Sequence, residues 1–288
     1  MDLIISHAKC PDGWTAAYIA KKRYPEAEIL MLDHGMPVPF DRVAGLDVIV
    51  LDFSWPNRED NIKLHDSAKS FHVYDHHKTA QDTLEGLGFA TFDMTRSGAG
   101  LAWDYLFGCN TIHTAASHGL SRPWWVNYVE DRDLWRFSQP NSKEVSAYLM
   151  SLPMTIEAWD GLDEMDWVTA ANLGKGILSH VERYVKEVAN EALCGVYWFK
   201  SRAYNVAVCN IPYQNCSEVG NVLASRTDFS LTWFERADGT MAFSLRSIGD
   251  FDVSEIAKIY HGGGHSNAAG FRLSLEHGRN LIDRILGR

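Results

Sequence analysis

The run DVIVLDF at residues 47–53 is apolar on both of its alternating faces. A strand of that kind cannot lie at a wet surface, where apolar and polar residues alternate. It belongs inside a parallel sheet covered on both sides. Its surroundings supply the rest of such a sheet. LIIS (3–6), AEILML (27–32) and FHVY (71–74) read as further strands. GWTAAYIAKKRY (13–24), ended by Pro25, and NREDNIKLHDSA (57–68) read as helices between them. This β-α-β rhythm predicts an α/β domain with a parallel sheet. GAGLAWDYLF (98–107) and RPWWVNYVEDRDLW (122–135) add helices.

The middle of the chain changes character. Residues 141–193 hold no convincing strand, and residues 166–193 read as one long helix. Gly174 and Gly176 oppose that helix by about 1 kcal/mol each relative to alanine. From Gly195 onward, GVYWFKS, YNVAVCNI, FSLTWFERA and GTMAFSLRSI read as strands, with Ala237-Asp238-Gly239 as a hairpin turn. NCSEVGNVLAS and VSEIAKIY read as helices. The expected architecture is α/β in two domains. A parallel-sheet domain at 1–140 is joined through a helical connector at 141–194 to a smaller mixed-sheet α/β domain at 195–288.

Composition excludes several function classes. The 288 residues are 46% hydrophobic and 22% charged, as in ordinary globular chains. No apolar run approaches the roughly 20 residues that span a bilayer. The N-terminal segment lacks the basic start of a signal peptide. Five separated cysteines with no CxxC pair predict neither a disulfide framework nor a zinc knuckle, which suits a reducing cytoplasm. The net charge of −10 opposes a broad grip on long nucleic acid. It permits a small anion in a local pocket, above all where metal ions bring positive charge.

Metal-capable residues stand at three strand ends. His7, Cys10 and Asp12 follow the first strand, Asp52 closes DVIVLDF, and Asp75-His76-His77 follow FHVY. The carboxyl ends of parallel strands share one edge, where ligands bind. These residues therefore converge despite their distance in sequence. A further acidic cluster, Glu130-Asp131-Arg132-Asp133, follows WWVNYV. Gathered carboxylates repel one another unless they take up protons or cations. Carboxylate and imidazole donors suit Mn²⁺, Mg²⁺ or Fe²⁺ better than an all-thiolate zinc site does. In the C-terminal region, Gly262-Gly263-Gly264 lets backbone N–H groups approach an anion. His265 and Arg246 add donors there. His34, His65, His72, His113, His118 and His180 carry no assignment. Trp55 and Trp135 are candidates for stacking on a base, whereas Trp14, Trp103, Trp159 and Trp167 read as packing residues.

Together SHAKCPDG, LDFSWP, DHHKTA and GGGHSNAAGF resemble the DHH phosphoesterase superfamily with its glycine-rich C-terminal domain. The branch holding nano-RNase B and cyclic-nucleotide phosphodiesterases is the nearest in pattern. The resemblance implies two divalent ions, Mn²⁺ first, with Mg²⁺, Fe²⁺ and Zn²⁺ as alternatives. Carried over by position, one ion takes His7 and Asp52, and the other takes Asp12, Asp52, His76 and Asp131, with Asp133 the alternative to Asp131. His77 meets the phosphate and Asp75 orients a histidine. Arg246, Gly263, Gly264 and His265 bind substrate in a domain that, in the family, faces the metal edge. Where the family's first motif places an aspartate, this chain has Cys10, which becomes a candidate soft ligand. The implied function is metal-dependent hydrolysis of short oligonucleotides or related nucleotide phosphodiesters. Adenosine-bisphosphate phosphatase and cyclic-dinucleotide phosphodiesterase are alternatives, and a nucleotide-binding sensor with weakened catalysis is an alternative of another class. The partners expected are a short substrate, no long nucleic acid and no membrane, with room for a homodimer.

Overall fold

The structure is a computed structural model that describes residues 1–108 and 121–288. Cys109, His113 and His118 lie outside the described residues. Two compact units are present, Met1–Leu178 and Ser179–Arg288.

The first unit runs β1 (Leu3–His7), α1 (Pro11–Arg23), β2 (Glu28–Leu32), α2 (Phe40–Val43), β3 (Asp47–Leu51), α3 (Arg58–Ser67), β4 (Ser70–Asp75), α4 (Lys78–Leu84), β5 (Ala90–Phe92), α5 (Gly98–Phe107), α6 (Trp124–Asp133), α7 (Ser142–Ser151) and α8 (Ile156–Asp160). A short 3-10 turn, Gly161–Glu164, leads into α9 (Trp167–Asn190), within which the unit boundary falls. The five strands are parallel, in the order β2-β1-β3-β4-β5.

The all-apolar strands do what their pattern requires. Ile4, Ile49, Leu51 and Tyr74 pack on one face of the sheet, with α1, α5 and α6. Leu3, Ile5, Val48, Val50 and Val73 pack on the other, with Leu64 of α3 and Leu84 of α4. Period-two alternation sends successive residues to opposite faces, so a strand buried on both sides must be apolar throughout. The chain leaves β1 toward β2, then returns to place β3 on its other side. Strand order reverses there, and the carboxyl ends of β1 and β3 flank a crevice of the kind that binds ligands in such sheets. Ser6, fully buried in β1, donates to Gly13 O at 2.7 Å and stands 2.9 Å from Leu51 O, tying α1 and β3 to the strand between them.

Much of the region read as a connector packs into this unit. Val145, Leu149, Trp159, Leu162, Ala170 and Ala171 are buried in the same core as Tyr18 and Trp125. The Tyr18 hydroxyl donates to Asp160 at 2.7 Å.

The second unit continues from the end of α9 through β6 (Leu193–Phe199), β7 (Arg202–Asn210), α10 (Cys216–Ala224), β8 (Phe229–Glu235), β9 (Thr240–Arg246), α11 (Ser254–Ile259), β10 (Gly263–His265), β11 (Ala268–Ser274) and α12 (Leu275–Leu286). Its sheet is ordered β10-β11-β9-β8-β7-β6 and is mixed, because β7 and β8 run parallel while the other pairs are antiparallel. Gly239, at φ +77°, forms the β8–β9 turn beside Asp238, whose Oδ1 accepts from Thr240 N at 3.1 Å. Among the described residues, no helix is long and apolar enough to cross a membrane, and the four cysteines are free thiols.

Candidate metal centre

The crevice at the ends of β1, β3 and β4 holds a dense cluster of carboxylates and imidazoles. His76 Nε2 lies 3.1 Å from Asp52 Oδ1, 3.5 Å from Asp133 Oδ2 and 3.7 Å from Asp12 Oδ2. On the other side of Asp52, His7 Nδ1 lies 3.6 Å from Oδ2. The two oxygens of one carboxylate thus face two different donor groups. One donor atom each from Asp12, His76 and Asp133 lie within 4.8 Å of one another, as do those of His7, Cys10 and Asp52.

Local structure aims these side chains. Asp52 sits just past β3 with a left-handed backbone, φ +53°, a conformation that aspartate tolerates better than most residues. Its N–H donates to Tyr74 O at 2.9 Å, so the turn out of β3 is tied to β4. Asp12, in the first turn of α1, accepts from Gly98 N at 2.6 Å and Ala99 N at 3.0 Å. These amides open α5, and a helix N-terminus with unpaired N–H groups is a natural seat for an anion. The approach depends on Gly98, since a Cβ there would lie 2.4 Å from Asp52 Cβ. Ser97 caps the same helix by accepting from Gly100 N.

Behind the cluster, Asp75 Oδ1 accepts from His76 N at 2.7 Å and His77 N at 3.2 Å, and pairs with His77 Nδ1 at 2.7 Å. Burial opposes its charge, but the His77 charge and hydrogen bond outweigh that and hold the Asp75 carboxyl down at about 2.

Asp131 and Asp133 separate cleanly. Asp131 Oδ1 accepts from Ser138 N and Ser138 Oγ, at 2.9 and 2.6 Å. Its Oδ2 accepts from Gln139 N and Ser142 Oγ. Four donors fasten it to the loop that leads into α7. The carboxylate of the 130–133 acidic cluster that stands beside His76 is Asp133. Two positions apart on a helix, the two side chains point nearly opposite ways.

Electrostatics show what the cluster needs. Burial, then the charges of Asp133 and Asp52, push the Asp12 carboxyl well above its ordinary range. Burial, with Asp52 close by, raises Asp133 as well. His76 is opposed by burial, yet Asp133, Asp52 and Asp12 carry it well above the ordinary imidazole value. Asp52 moves down despite burial, held by His7, His76 and His77. Asp52 Oδ2 and Asp133 Oδ2 are buried and accept no hydrogen bond. Buried carboxylate oxygens of that kind are costly unless a cation completes them. Donor type, crowding and orphaned oxygens all fit divalent ions.

A sign follows for metal binding. Asp12, Asp133 and His76 hold protons to higher pH than isolated groups do, and each must be deprotonated to ligate. Affinity for a divalent ion held by these groups would therefore rise with pH, and its binding would release protons. Calorimetric titration in buffers of different ionisation enthalpy measures that release. Equal heats in all buffers would contradict it.

Other residues read from the sequence fall elsewhere. Trp55 is 3% exposed inside the core, so no face of it is open to a base. Trp135 is exposed, with the Arg132 guanidinium 4.3 Å from its ring centroid. His34, unassigned in the sequence, stands with its ring 5.3 Å from His7 and stacked 4.9 Å from Phe53. Burial, then the neighbouring His7 and His77, lower its pKa to about 4, so it is neutral at physiological pH. Its place after β2 in a parallel sheet was the available signal.

In the second unit, Arg246 ends β9 and is held by Ser244 Oγ at 3.0 Å, Leu245 O at 2.8 Å and Ser217 Oγ at 2.7 Å. Gly263 and His265 belong to β10, paired with Gly270 and Ala268 of β11. Gly264 has φ +137°, and a Cβ there would lie 2.5 Å from Ala268 O. The hairpin itself therefore requires this glycine.

Residues 205–287, most of the second unit, match the DHHA1 domain family. The second unit is thus similar to DHHA1 domains over most of its length. RecJ from Thermus thermophilus, solved with Mn²⁺, superposes on 99% of this chain with TM-score 0.52 at 16% identity. That match bears out the α/β fold of this chain, which spans 51% of RecJ. PggH, a pGpG-specific phosphodiesterase of Vibrio cholerae, aligns over 99% of this chain and 97% of its own, with TM-score 0.47 and 13% identity. Uncharacterized protein R106 of Acanthamoeba polyphaga mimivirus is 27% identical over 300 residues, 95% of this chain and 68% of that protein.

Proposed function

We propose that this DHH–DHHA1 chain is a metal-dependent phosphodiesterase acting on short oligonucleotides or related nucleotide phosphodiesters. The observation that carries the proposal is Asp52, buried at the crevice with one oxygen toward His76 and the other toward His7. A carboxylate so placed would serve as a ligand to divalent ions held on either side of it. On this reading Asp12, Asp52, His76 and Asp133 hold one ion, and His7 and Asp52 hold the other. When bound, divalent ions there would lower the pKa of a water and offset charge developing on a phosphoryl group.

The protein's own groups then have distinct tasks. The α5 amides fix Asp12, so its carboxylate needs no reorganisation when substrate arrives. The pairing of His77 with Asp75 stabilises the charged imidazolium, whose exposed edge is suited to a phosphate oxygen. Arg246, Gly263, Gly264 and His265 of the DHHA1 unit are assigned to the nucleotide. The acidic chain favours a short substrate over a long one, because it cannot match many phosphates with basic groups.

The test is a substrate panel with Mn²⁺: dinucleotides, longer RNA, cyclic dinucleotides and adenosine bisphosphate. Turnover is expected to be highest on the shortest diesters. Phosphate release from the bisphosphate without diester cleavage would select the phosphatase alternative. If nothing on the panel is turned over with Mn²⁺, Mg²⁺, Fe²⁺ or Zn²⁺, the proposal fails.

A further inference from the structure

Cys10 is the N-cap residue of α1, a position usually given to a side chain that accepts from the first turn. Its side chain makes no capping bond. Its backbone is extended, φ −118° and ψ 124°, and follows Lys9 in a left-handed turn at φ +60°. That turn brings the thiol to the crevice, where one donor atom each of Cys10, His7 and Asp52 lie within 4.8 Å of one another. Gly13 allows the close packing, since a Cβ there would lie 2.5 Å from His7 O. A second feature points into the same space. Asp52 Oδ2 is buried, accepts no hydrogen bond and lies 3.6 Å from His7 Nδ1. Donors around a tetrahedral zinc-sized ion lie about 3.4–3.8 Å apart, given metal–ligand lengths of about 2.0–2.3 Å. His7 Nδ1 and Asp52 Oδ2, 3.6 Å apart, are at that spacing already, and the thiol lies within 4.8 Å of a donor atom of each residue.

The donor sets on the two sides of Asp52 differ in kind. Asp12, Asp133 and His76 offer oxygen and imidazole, which suit Mn²⁺ and Mg²⁺. His7, Cys10 and Asp52 offer nitrogen, sulfur and oxygen, which suit a borderline or thiophilic ion. We propose that the centre is chemically asymmetric, with the Cys10 thiolate ligating a Zn²⁺- or Fe²⁺-like ion in the His7 site while the Asp12–His76–Asp133 site takes a harder ion. Ligation replaces the S–H bond with a metal–sulfur bond and releases the proton to solvent, with no change of oxidation state. The inference rests on the reading of the cluster as metal-binding and does not depend on what the centre hydrolyses.

Cobalt(II) tests it, because thiolate ligation produces a sulfur-to-cobalt charge-transfer band in the near ultraviolet. Titrating metal-free protein with Co²⁺ should produce this band, saturating at one thiolate-bound ion per chain. Zn²⁺ should abolish it by displacement, whereas equimolar Mn²⁺ should not. Cys10→Ser should lose the band completely while still binding Mn²⁺ at the other site, which a stoichiometry measurement reads. Cys10→Asp should let Mn²⁺ fill both sites. Two bound Co²⁺ ions with no charge-transfer band, or a band that survives in Cys10→Ser, would overturn the proposal. Failure to bind any divalent ion would overturn the metal reading and this inference together. Absence of hydrolysis with the band intact would count against the proposed activity alone.

Discussion

On the proposed function, Asp52→Asn is expected to abolish phosphodiester hydrolysis, lowering kcat by at least about a thousandfold, while leaving the protein folded. The magnitude follows from losing several kcal/mol of transition-state charge stabilisation when the shared carboxylate is gone. Asparagine is the informative replacement. Asp52 has φ +53°, where asparagine is tolerated but most side chains cost about 1–2 kcal/mol. Asp52→Ala therefore mixes strain with lost ligation. The asparagine amide retains an oxygen that can face His76 Nε2, as Asp52 Oδ1 does at 3.1 Å, but it lacks the negative charge that would hold a cation. Bound divalent metal per chain should fall relative to the parent, with circular dichroism unchanged. Activity within tenfold of the parent would remove Asp52 from the chemistry.

Glu130→Ala destabilises the first unit by about 2–4 kcal/mol, below the full cost of orphaning a buried ion pair because the arginines keep some contact with water. Glu130 is 5% exposed and is engaged on both oxygens. Arg96 Nη1 donates to it at 3.0 Å, Arg122 Nη1 and Nη2 at 3.2 and 3.1 Å, and Ser97 N at 3.2 Å. Removing it leaves two guanidinium groups without their shared anion. It also frees Ser97, the residue that caps α5. The amides that hold Asp12 belong to that helix, so Mn²⁺ affinity should fall together with Tm. A unit of this size loses about 2–4 °C of Tm per kcal/mol, which makes the drop readable by calorimetry. Glu130→Gln, which still accepts hydrogen bonds, should lie between the two. A Tm unchanged in Glu130→Ala would show that the arginines find other partners.

Legibility of the site in the sequence varies with how local its geometry is. His7, Asp12, Asp52 and His76 are readable because parallel strands deliver their C-terminal residues to one edge whatever the loops do. His34 obeys the same rule after β2, but a lone histidine carries no spacing to mark it. Gly264 reads in the sequence as part of an anion cradle, and its φ of +137° in a tight hairpin shows a structural demand that composition cannot display. The residues read as a connector look helical, as they are. That Val145, Leu149, Trp159 and Leu162 are buried in the first core depends on which neighbour their apolar face meets.

What the sequence determined alone is the α/β class, the parallel sheet and the strand ends where metal-capable residues gather. Periodicity and burial on both faces leave no other arrangement for runs such as DVIVLDF. What only tertiary structure decided is which of Asp131 and Asp133 stands beside His76. Both lie in the last turn of one helix, and both precede the same loop. Packing of α6 turns Asp133 toward His76, while the backbone and serines of residues 138–142 surround Asp131 with four donors. Helical position sets the angle between two side chains, but which of them faces the site depends on how the helix is rotated against its neighbours.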